Sequence, residues 1–348
     1  MKIAIGVTDI APRAVDYVVE AERLGVDSVW VAEMWGYDAF TPLAYLAAKT
    51  HRLKLGTGIV QLGARSPALL AMSAMSMQSI SRGRFLLGLG TSGPQVMEGW
   101  HGVRFASPVA LTRETIEIIR QVCAGERLAY EGKVYTLPLP GGTGRAIRSM
   151  APAADVPVYV ASMGPKNLQL TGELADGWLG NCFMPETARA FLDPMEVGAE
   201  GAGRTIGELD LVVPAAVEFT DDEEEAARRH ARGYAFTLGA MGNRDHNFYN
   251  AAFARQGYAD DVRAVQDLWL AGKREEAADR VPVDLGRRTN LLGTPEMVRE
   301  RLKLYQAVGI GTIQAKLSGS MDRQLATLAT LIDVCAQVDG ETKSGEKS

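Results

Sequence analysis

Three cysteines, Cys123, Cys182 and Cys335, are all that this 348-residue chain carries, and no two stand in C-x-x-C spacing. That excludes a disulfide framework or a cysteine zinc site and fits a reducing compartment, so a cytoplasmic location is expected. Histidine is also scarce: His51, His101, His230 and His246 show no metal-ligand spacing, and no metal is expected. Long basic runs are missing and the net charge is -5, which argues against a nucleic-acid partner. No apolar run reaches the roughly 18 residues of a membrane span. The N-terminal segment lacks the apolar core of a signal peptide. Solenoid repeats and low-complexity tracts are absent as well.

Short apolar runs are what the chain does have, and they alternate with helical patterns. Candidate strands are 3–7, 28–32, 53–60, 85–89, 158–161, 177–180, 211–217 and 312–316. Several are continuously apolar, as expected of parallel strands covered on both faces. Helical stretches lie at 14–24, 41–50, 68–80, 111–124, 165–174, 185–200, 295–308 and 321–338. Gly25 closes the first, and Pro42 and Pro67 open the second and third. Eight alternations predict an α/β fold, a (β/α)8 TIM barrel, over 1–338. Two long connections, about 125–156 and 220–293, read as insertions. The first contains a small extended excursion. The second is helical, with aromatic residues Tyr234, Phe236, Phe248, Tyr249, Phe253 and Tyr258, and is expected over the barrel mouth. The polar tail 339–348 is expected to be disordered.

Gly88, Gly90 and Gly93 form a G-x-G-x-x-G. A Rossmann fingerprint sits on the first strand–helix turn, with an acidic residue about twenty positions on. Here it follows the fourth strand, and Arg113 stands twenty positions after Gly93. The motif therefore reads as a flexible strand-end loop that allows close approach of a ligand.

In a barrel, every strand end feeds one mouth. These ends supply Thr8 and Asp9; Glu33, Met34 and Trp35; Gly58, Ile59, Gln61 and then Arg65; Thr91, Ser92 and Gly93, with Glu98, Trp100 and His101 beyond; Ser162 to Lys166; and Asn181 with Cys182. The set is poor in metal ligands and rich in amides, hydroxyls and tryptophan. It suits a flat, hydrogen-bonding cofactor. In Ser162-Met163-Gly164-Pro165-Lys166 a strand ends and proline opens a helix, whose free N–H groups attract phosphate. Ser162 adds a possible hydroxyl donor; an ordinary helix start is the alternative. Glu33 is either functional or paired with Arg65 or Arg84. Trp30 reads as core, and Arg82 and Arg84 as structural residues at the opposite face.

The stretches A-E-R-L-G-V-D-S-V-W-V-A-E (21–33), S-R-G-R-F-L-L-G-L-G-T-S-G-P-Q-V-M-E-G-W-H-G (81–102) and A-S-M-G-P-K-N-L-Q-L-T-G-E-L-A-D-G-W (161–178) resemble the luciferase-like flavin and deazaflavin superfamily. More narrowly, the chain resembles its coenzyme F420-dependent oxidoreductases, relatives of methylenetetrahydromethanopterin reductase. The resemblance implies F420 at the barrel mouth and hydride transfer at C5 of the deazaflavin. It implies a non-prolyl cis peptide at Gly58-Ile59, a phosphate site at Ser162, Met163, Gly164, Pro165 and Lys166, and a cofactor-lining loop at Thr91, Ser92 and Gly93. Glu33, Trp35, Glu98 and His101 are the catalytic candidates.

Many relatives carry an acidic residue followed by His after the second strand; here the pair is Glu33-Met34. Oxidising an alcohol needs a base for the hydroxyl proton. Its loss favours reduction of a C=C or C=N bond of a small organic substrate, with Glu33, Glu98 or His101 supplying the proton. The alternatives are an FMN-dependent monooxygenase of the same fold and a non-catalytic flavin-binding barrel. The family also implies a homodimer packed through outer helices near the second and third units.

Overall fold

The computed structural model describes residues 1–8, 11–241 and 247–345. Asp9 and His246, named above, lie outside the described residues. Eight parallel strands form a ring: β1 (Lys2–Val7), β2 (Ser28–Val31), β3 (Lys54–Thr57), β4 (Phe85–Gly90), β5 (Val158–Ala161), β6 (Gly177–Leu179), β7 (Asp210–Phe219) and β8 (Thr312–Lys316). Closure comes from β8 pairing with β1, Lys2 opposite Thr312 and Ile5 opposite Ala315. The architecture is the expected (β/α)8 barrel. One strand differs from expectation. The third stops at Thr57, the Gly58–Ile59 peptide is cis, and Val60–Gln61 then pairs with Leu89 and Gly90 of β4.

A helix follows each strand: α1 (Pro12–Leu24), α2 (Phe40–Lys49), α3 (Pro67–Ser81), α4 (Pro108–Cys123), α5 (Pro165–Leu174), α6 (Arg189–Gly201), α7 (Pro295–Ala307) and α8 (Met321–Gly345). Local chemistry sets their ends. Proline occupies the first turn of α1, α3, α4, α5 and α7, where its missing N–H costs no hydrogen bond. Ser66 Oγ accepts the Leu69 N–H at 3.2 Å, and Thr294 Oγ1 accepts that of Met297 at 3.4 Å. Gly25, at φ 103°, ends α1 in the left-handed region that glycine tolerates.

Strand side chains alternate between two separate apolar clusters. Ile3, Ile5, Val29, Val31, Leu87, Val158, Val160, Leu211, Val213, Ile313 and Ala315 face outward against the helices. Ala4, Trp30, Leu86, Tyr159 and Val212, with Leu179, fill the barrel interior. Below this inner cluster, Asp210 accepts from Tyr159 Oη at 2.9 Å and Thr312 Oγ1 at 3.1 Å. At the same end Arg84 donates to the carbonyls of Ala47, Thr50, Leu53 and Ser81, tying the strand entrances together. Its structural reading holds.

Residues 125–156 carry a two-stranded hairpin, Tyr130–Glu131 with Thr136–Leu137. Its turn is pinned by the buried Glu114 carboxylate, which accepts the N–H groups of Lys133, Val134 and Tyr135. Residues 220–293 are largely helical among the described residues: Glu223–Ala240, Phe248–Phe253, Ala259–Leu270, Arg274–Arg280 and Val283–Arg288. The segment ends in a short strand, Leu291–Gly293, that pairs with the end of β7. Of the tail, 339–345 continue α8 as helix, and 346–348 lie outside the described residues. The N-terminal ammonium binds Asp339, and Glu341 meets Arg299 and Lys303 on α7, which holds the extra turns in place.

Candidate active site

The inner face changes character towards the strand ends. Gly6, Gly58, Gly88, Gly90 and Ala161 replace the bulky side chains of the lower layer. A Cβ on Gly88 would stand 1.8 Å from the Thr57 carbonyl oxygen, so β3 and β4 need glycine there. A Cβ on Gly90 would lie 2.9 Å from the Ile59 side chain and 3.6 Å from Ala161 Cβ. Ile59, on the cis peptide, thus leans over Gly90 beside β5. We call this glycine-lined upper layer, with Trp30 against Gly58 and Leu179 against Gly88, the cup. A fully packed TIM barrel fills this layer with branched residues.

Glu33 sits at the cup's edge, buried at 9% exposure. It takes Arg65 in a two-pronged ion pair, Nη1 to Oε2 and Nη2 to Oε1, both 2.6 Å. Of the two partners the sequence allowed, the structure chooses Arg65. Those hydrogen bonds first, and then the Glu33 charge, raise the Arg65 pKa against the effect of burial. Both Glu33 carboxylate oxygens are thus engaged as acceptors of charge-assisted hydrogen bonds. Gln61 Nε2 donates to the Glu33 carbonyl at 2.5 Å, and Gln61 Oε1 is buried with no partner among the described residues. An orphaned buried acceptor beside a glycine-lined cup fits a planar ligand bearing N–H groups.

The flanking loops divide by exposure. Met34, Trp35, Tyr37 and Trp100 are all more than half exposed, although large and apolar. Trp30 is core, as expected, stacked edge-on to Tyr159 at 5.1 Å. Thr91, Ser92 and Gly93 are half-buried at the end of β4, with Ser92 in the left-handed region at φ 55°. Beyond them, Glu98 accepts the Phe105 N–H at 3.0 Å. His101 Nε2 is buried without a partner among the described residues.

At the fifth junction the helix start is as expected, with Gly164 as N-cap and no side chain capping it. The N–H groups of Lys166 and Asn167 in the first turn make no intrahelical bond. Lys166 is exposed. Ser162 does not present its hydroxyl. Thr171 Oγ1 gives its one proton to the Asn167 carbonyl at 2.7 Å, so Ser162 Oγ must donate to Thr171 at 2.8 Å. The Trp178 indole also holds the Ser162 carbonyl at 2.9 Å. Ser162 is thereby a buried brace of the turn. Met163 offers its carbonyl to Arg255 from the helical insertion.

Three residues of the mouth escaped sequence reasoning. Arg255 had no local signal, since only tertiary contact brings the insertion to the fifth loop. Lys316 had one: Thr312, Gln314 and Lys316 form a polar inner face of period two. Tyr249 was visible only as one aromatic among several. The insertion also supplies Gln256 Nε2 to the Cys182 carbonyl at 2.8 Å, fastening it across the sixth loop. His230, which lacked a legible partner, meets Glu218 at 3.1 Å. Among the described residues, no group of three His, Cys, Asp or Glu gathers to hold a metal, and no helix is long and apolar enough to cross a membrane.

The fold has known counterparts. Residues 6–312 match the family model described as luciferase-like monooxygenase. The chain belongs to the luciferase-like family. A coenzyme F420-dependent oxidoreductase named from Mycobacterium tuberculosis is 38% identical over 326 residues, covering 91% of this chain and 93% of that one. A 5,10-methylenetetrahydromethanopterin reductase of Methanolobus tindarius is 33% identical over 308 residues, covering 86% and 88%. Among solved structures, the F420-dependent tetrahydromethanopterin reductase of Methanopyrus kandleri superposes with TM-score 0.77 at 22% identity, covering 94% of this chain and 97% of that one. In this luciferase-like chain the barrel mouth is therefore the place to look for chemistry.

Proposed function

We propose that this luciferase-like protein is an F420-dependent oxidoreductase that reduces a C=C or C=N bond of a small organic substrate. The observation that carries the reading is the glycine-lined cup with the buried, unpartnered Gln61 Oε1, in a chain whose relatives at 38% and 33% identity are named for F420 or for a reductase. When bound, the reduced deazaflavin supplies a hydride from C5. The chain's own residues bind and orient. Ile59 backs the ring, Gln61 accepts from its N–H edge, and Thr91, Ser92 and Gly93 line it. The first turn of α5, with Gly164, Pro165 and Lys166, faces the phosphate, and Met163 anchors Arg255 beside it. Glu33 keeps Arg65 in place and shapes the second loop. Trp35 and Trp100 cover the mouth and exclude water.

Proton delivery falls to the loop after β4, where Glu98 stands at the rim and His101 keeps a free ring nitrogen. Met34, in the position where relatives oxidising alcohols carry a base, supports the reductive direction. Leu69, Met72, Ile80 and Tyr45 leave an apolar outer face on α2 and α3, and we place the homodimer contact there; light scattering at twice the chain mass checks it.

The test is a titration of the purified protein with F420 and FMN separately, followed by tryptophan fluorescence. Trp35 and Trp100, exposed at the mouth, are the reporters. Saturable quenching by F420 at micromolar concentration with much weaker FMN binding is expected. Preference for FMN moves the protein to the oxygen-using branch of the fold and overturns the reading.

A further inference from the structure

Two residues above the lower inner cluster, each strand presents its next inward position to the cup. On six strands that position is Gly6, Ala32, Gly58, Gly88, Ala161 or Pro214. Among the described residues, only the other two positions carry polar side chains. Both are half-buried carboxamides, Asn181 just after β6 and Gln314 on β8. Alternation fixes their direction. Leu179 lies in the inner cluster, and a Cβ on Gly180 would stand 2.6 Å from the Trp178 ring of the outer one, so Asn181 turns inward. Ile313 and Ala315 pack outward, and Gln314 Nε2 lies 3.0 Å from where a Cβ on Gly6 would stand. The two amides also share one level. Leu179 pairs with Val212, which sets Asn181 beside Pro214, and Pro214 pairs with Gln314.

Each amide is held differently. Asn181 Oδ1 accepts the Cys182 N–H at 2.8 Å, so Nδ2 is the end left to act as donor. Cys182 sits in the left-handed region at φ 56°. Its carbonyl is held by Gln256 Nε2 at 2.8 Å, and Gln256 Oε1 accepts from Thr187 Oγ1 at 2.8 Å. The helical insertion thus fixes the turn that aims Asn181. In Gln314 the nitrogen reaches over Gly6 while Cδ stands 3.9 Å off, which leaves Oε1 as the end turned away from β1. Two strands apart in a ring of eight, the side chains point inward at about 90° to each other and converge towards the axis. Water satisfies both amides in the free protein. What singles them out is their shared level, on the half of the ring away from the expected cofactor loops after β3, β4 and β5. None of the eight residues at this level carries a charge, and Lys316, one step further out, is exposed to solvent.

We propose that Asn181 and Gln314 form the substrate rung of the cup and select an uncharged amide, its carbonyl oxygen accepting from Asn181 Nδ2 and its N–H donating to Gln314 Oε1. This rests on the F420 reductase reading above, and it makes the substrate class an unsaturated amide or lactam. One fixed donor beside one open acceptor is the complement of a –CO–NH– edge. A carboxylate or an iminium on this rung would be a charge without a counter-ion. A partly dry site penalises that far more than a neutral group whose hydrogen bonds are replaced. With the reduced deazaflavin as reductant, hydride adds to the carbon β to the carbonyl and the C=C π bond breaks. The carbonyl oxygen gains negative charge as it does, and the hydrogen bond from Asn181 Nδ2 strengthens there. A proton then adds to the α-carbon, and the amide itself is left unchanged.

The test offers F420H2-loaded wild type an α,β-unsaturated δ-lactam, its N-methyl derivative and an α,β-unsaturated cyclic carboxylate, and repeats the series with Asn181→Asp and Gln314→Leu. Ligand-observed NMR with δ-valerolactam and its N-methyl derivative reads binding to the same proteins, with and without F420. Wild type should prefer the N–H lactam to the N-methyl lactam by about tenfold in kcat/KM, the worth of one neutral hydrogen bond, and leave the carboxylate unreduced. Gln314→Leu should erase that preference. Asn181→Asp keeps the acceptor for the Cys182 N–H but removes the donor, and should lower kcat/KM for both lactams at least tenfold. F420 affinity within twofold of wild type in both variants separates a substrate role from a defect of folding. Equal use of the two lactams by wild type overturns the proposal, as does a preference that survives Gln314→Leu or reduction of the carboxylate ahead of the lactams. If wild type binds F420 but reduces neither lactam, the NMR decides. Binding that favours δ-valerolactam and loses that preference in Gln314→Leu supports the rung, and equal or absent binding overturns it. Failure of wild type to bind F420 overturns the cofactor reading instead, and the same NMR comparison on the unloaded proteins still decides the role of Asn181 and Gln314.

Discussion

The lower and upper halves of the barrel interior are built from the same strands by opposite rules. Below, Trp30, Leu86, Tyr159, Leu179 and Val212 fill the space, and every polar atom near them has a partner: Trp30 Nε1 with Ser28, Tyr159 Oη and Thr312 Oγ1 with Asp210. Above, glycine and alanine take their place, and Gln61 Oε1 and His101 Nε2 are buried without partners among the described residues. The lower half spends its side chains on stability. The upper half leaves polar groups unsatisfied, which is favourable only when a ligand arrives. Large apolar residues follow the same division. Trp30 is 2% exposed, while Trp35 and Trp100, at the mouth, are 59% and 65% exposed.

Substitutions can separate the halves. The largest effect is expected below: Trp30→Ala leaves a cavity under the cup and should cost about 3–5 kcal/mol in urea unfolding. Its F420 affinity should fall far less than its stability. A larger loss of affinity than of stability would mean that the two halves are not independent. At the boundary, Arg65→Ala strands the Glu33 carboxylate. Both residues keep some contact with solvent, so about 2–3 kcal/mol is expected, below the full cost of a buried unpaired charge; thermal unfolding of Arg65→Ala against the double variant with Glu33→Gln checks it, since the second change should restore part of the loss. Above, Gly90→Val fills the space beside Ile59. F420 binding should weaken at least tenfold, about 1.4 kcal/mol, and a fluorescence titration that finds unchanged affinity would remove Gly90 from the cofactor's path.

Smaller effects sharpen the same contrast. At the strand-entrance end, Glu22 accepts the N–H groups of His51, Arg52 and Leu53. Burial pushes its pKa up, but these three donors together outweigh burial and hold it below the ordinary carboxylate range. Because the folded pKa is depressed, its stabilisation is full above the unfolded value near about 4.3 and is lost as pH falls through the folded value. Glu22→Gln should therefore cost about 1 kcal/mol at pH 7 and progressively less in acid, read from urea midpoints between neutral pH and pH 3. The smallest effect is expected at Ser162→Ala. Its hydroxyl serves Thr171, so F420 affinity should change less than twofold; a tenfold loss would return Ser162 to the phosphate.

Strand and helix alternation was legible because each barrel unit is local: an apolar run of four to six residues, a turn, an amphipathic helix opened by Pro and closed by Gly or Arg in the left-handed region. The runs 177–180 and 312–316, short of strong apolar composition, are barrel strands because neighbouring strands supply the burial that their own composition does not announce. Site residues were legible only as far as a strand end predicts the mouth. Glu33, the 91–93 loop and the 162–166 turn lie there. What each side chain does there was not legible. The hydroxyl of Ser162 is aimed by Thr171, nine residues on, and the carboxylate of Glu33 by Arg65, thirty-two residues on.

The sequence by itself determined the barrel, its order of units and the end at which ligands meet it, since these follow from local periodicity and from where each strand stops. Only the tertiary structure decided that the tail stays helical through Asp339 and Glu341. It likewise brought Arg255 of the insertion to the Met163 carbonyl in loop five and Gln256 to the Cys182 carbonyl in loop six. Those outcomes depend on which groups come within hydrogen-bonding or Coulombic range after the ring closes, and no local pattern along the chain encodes such distances.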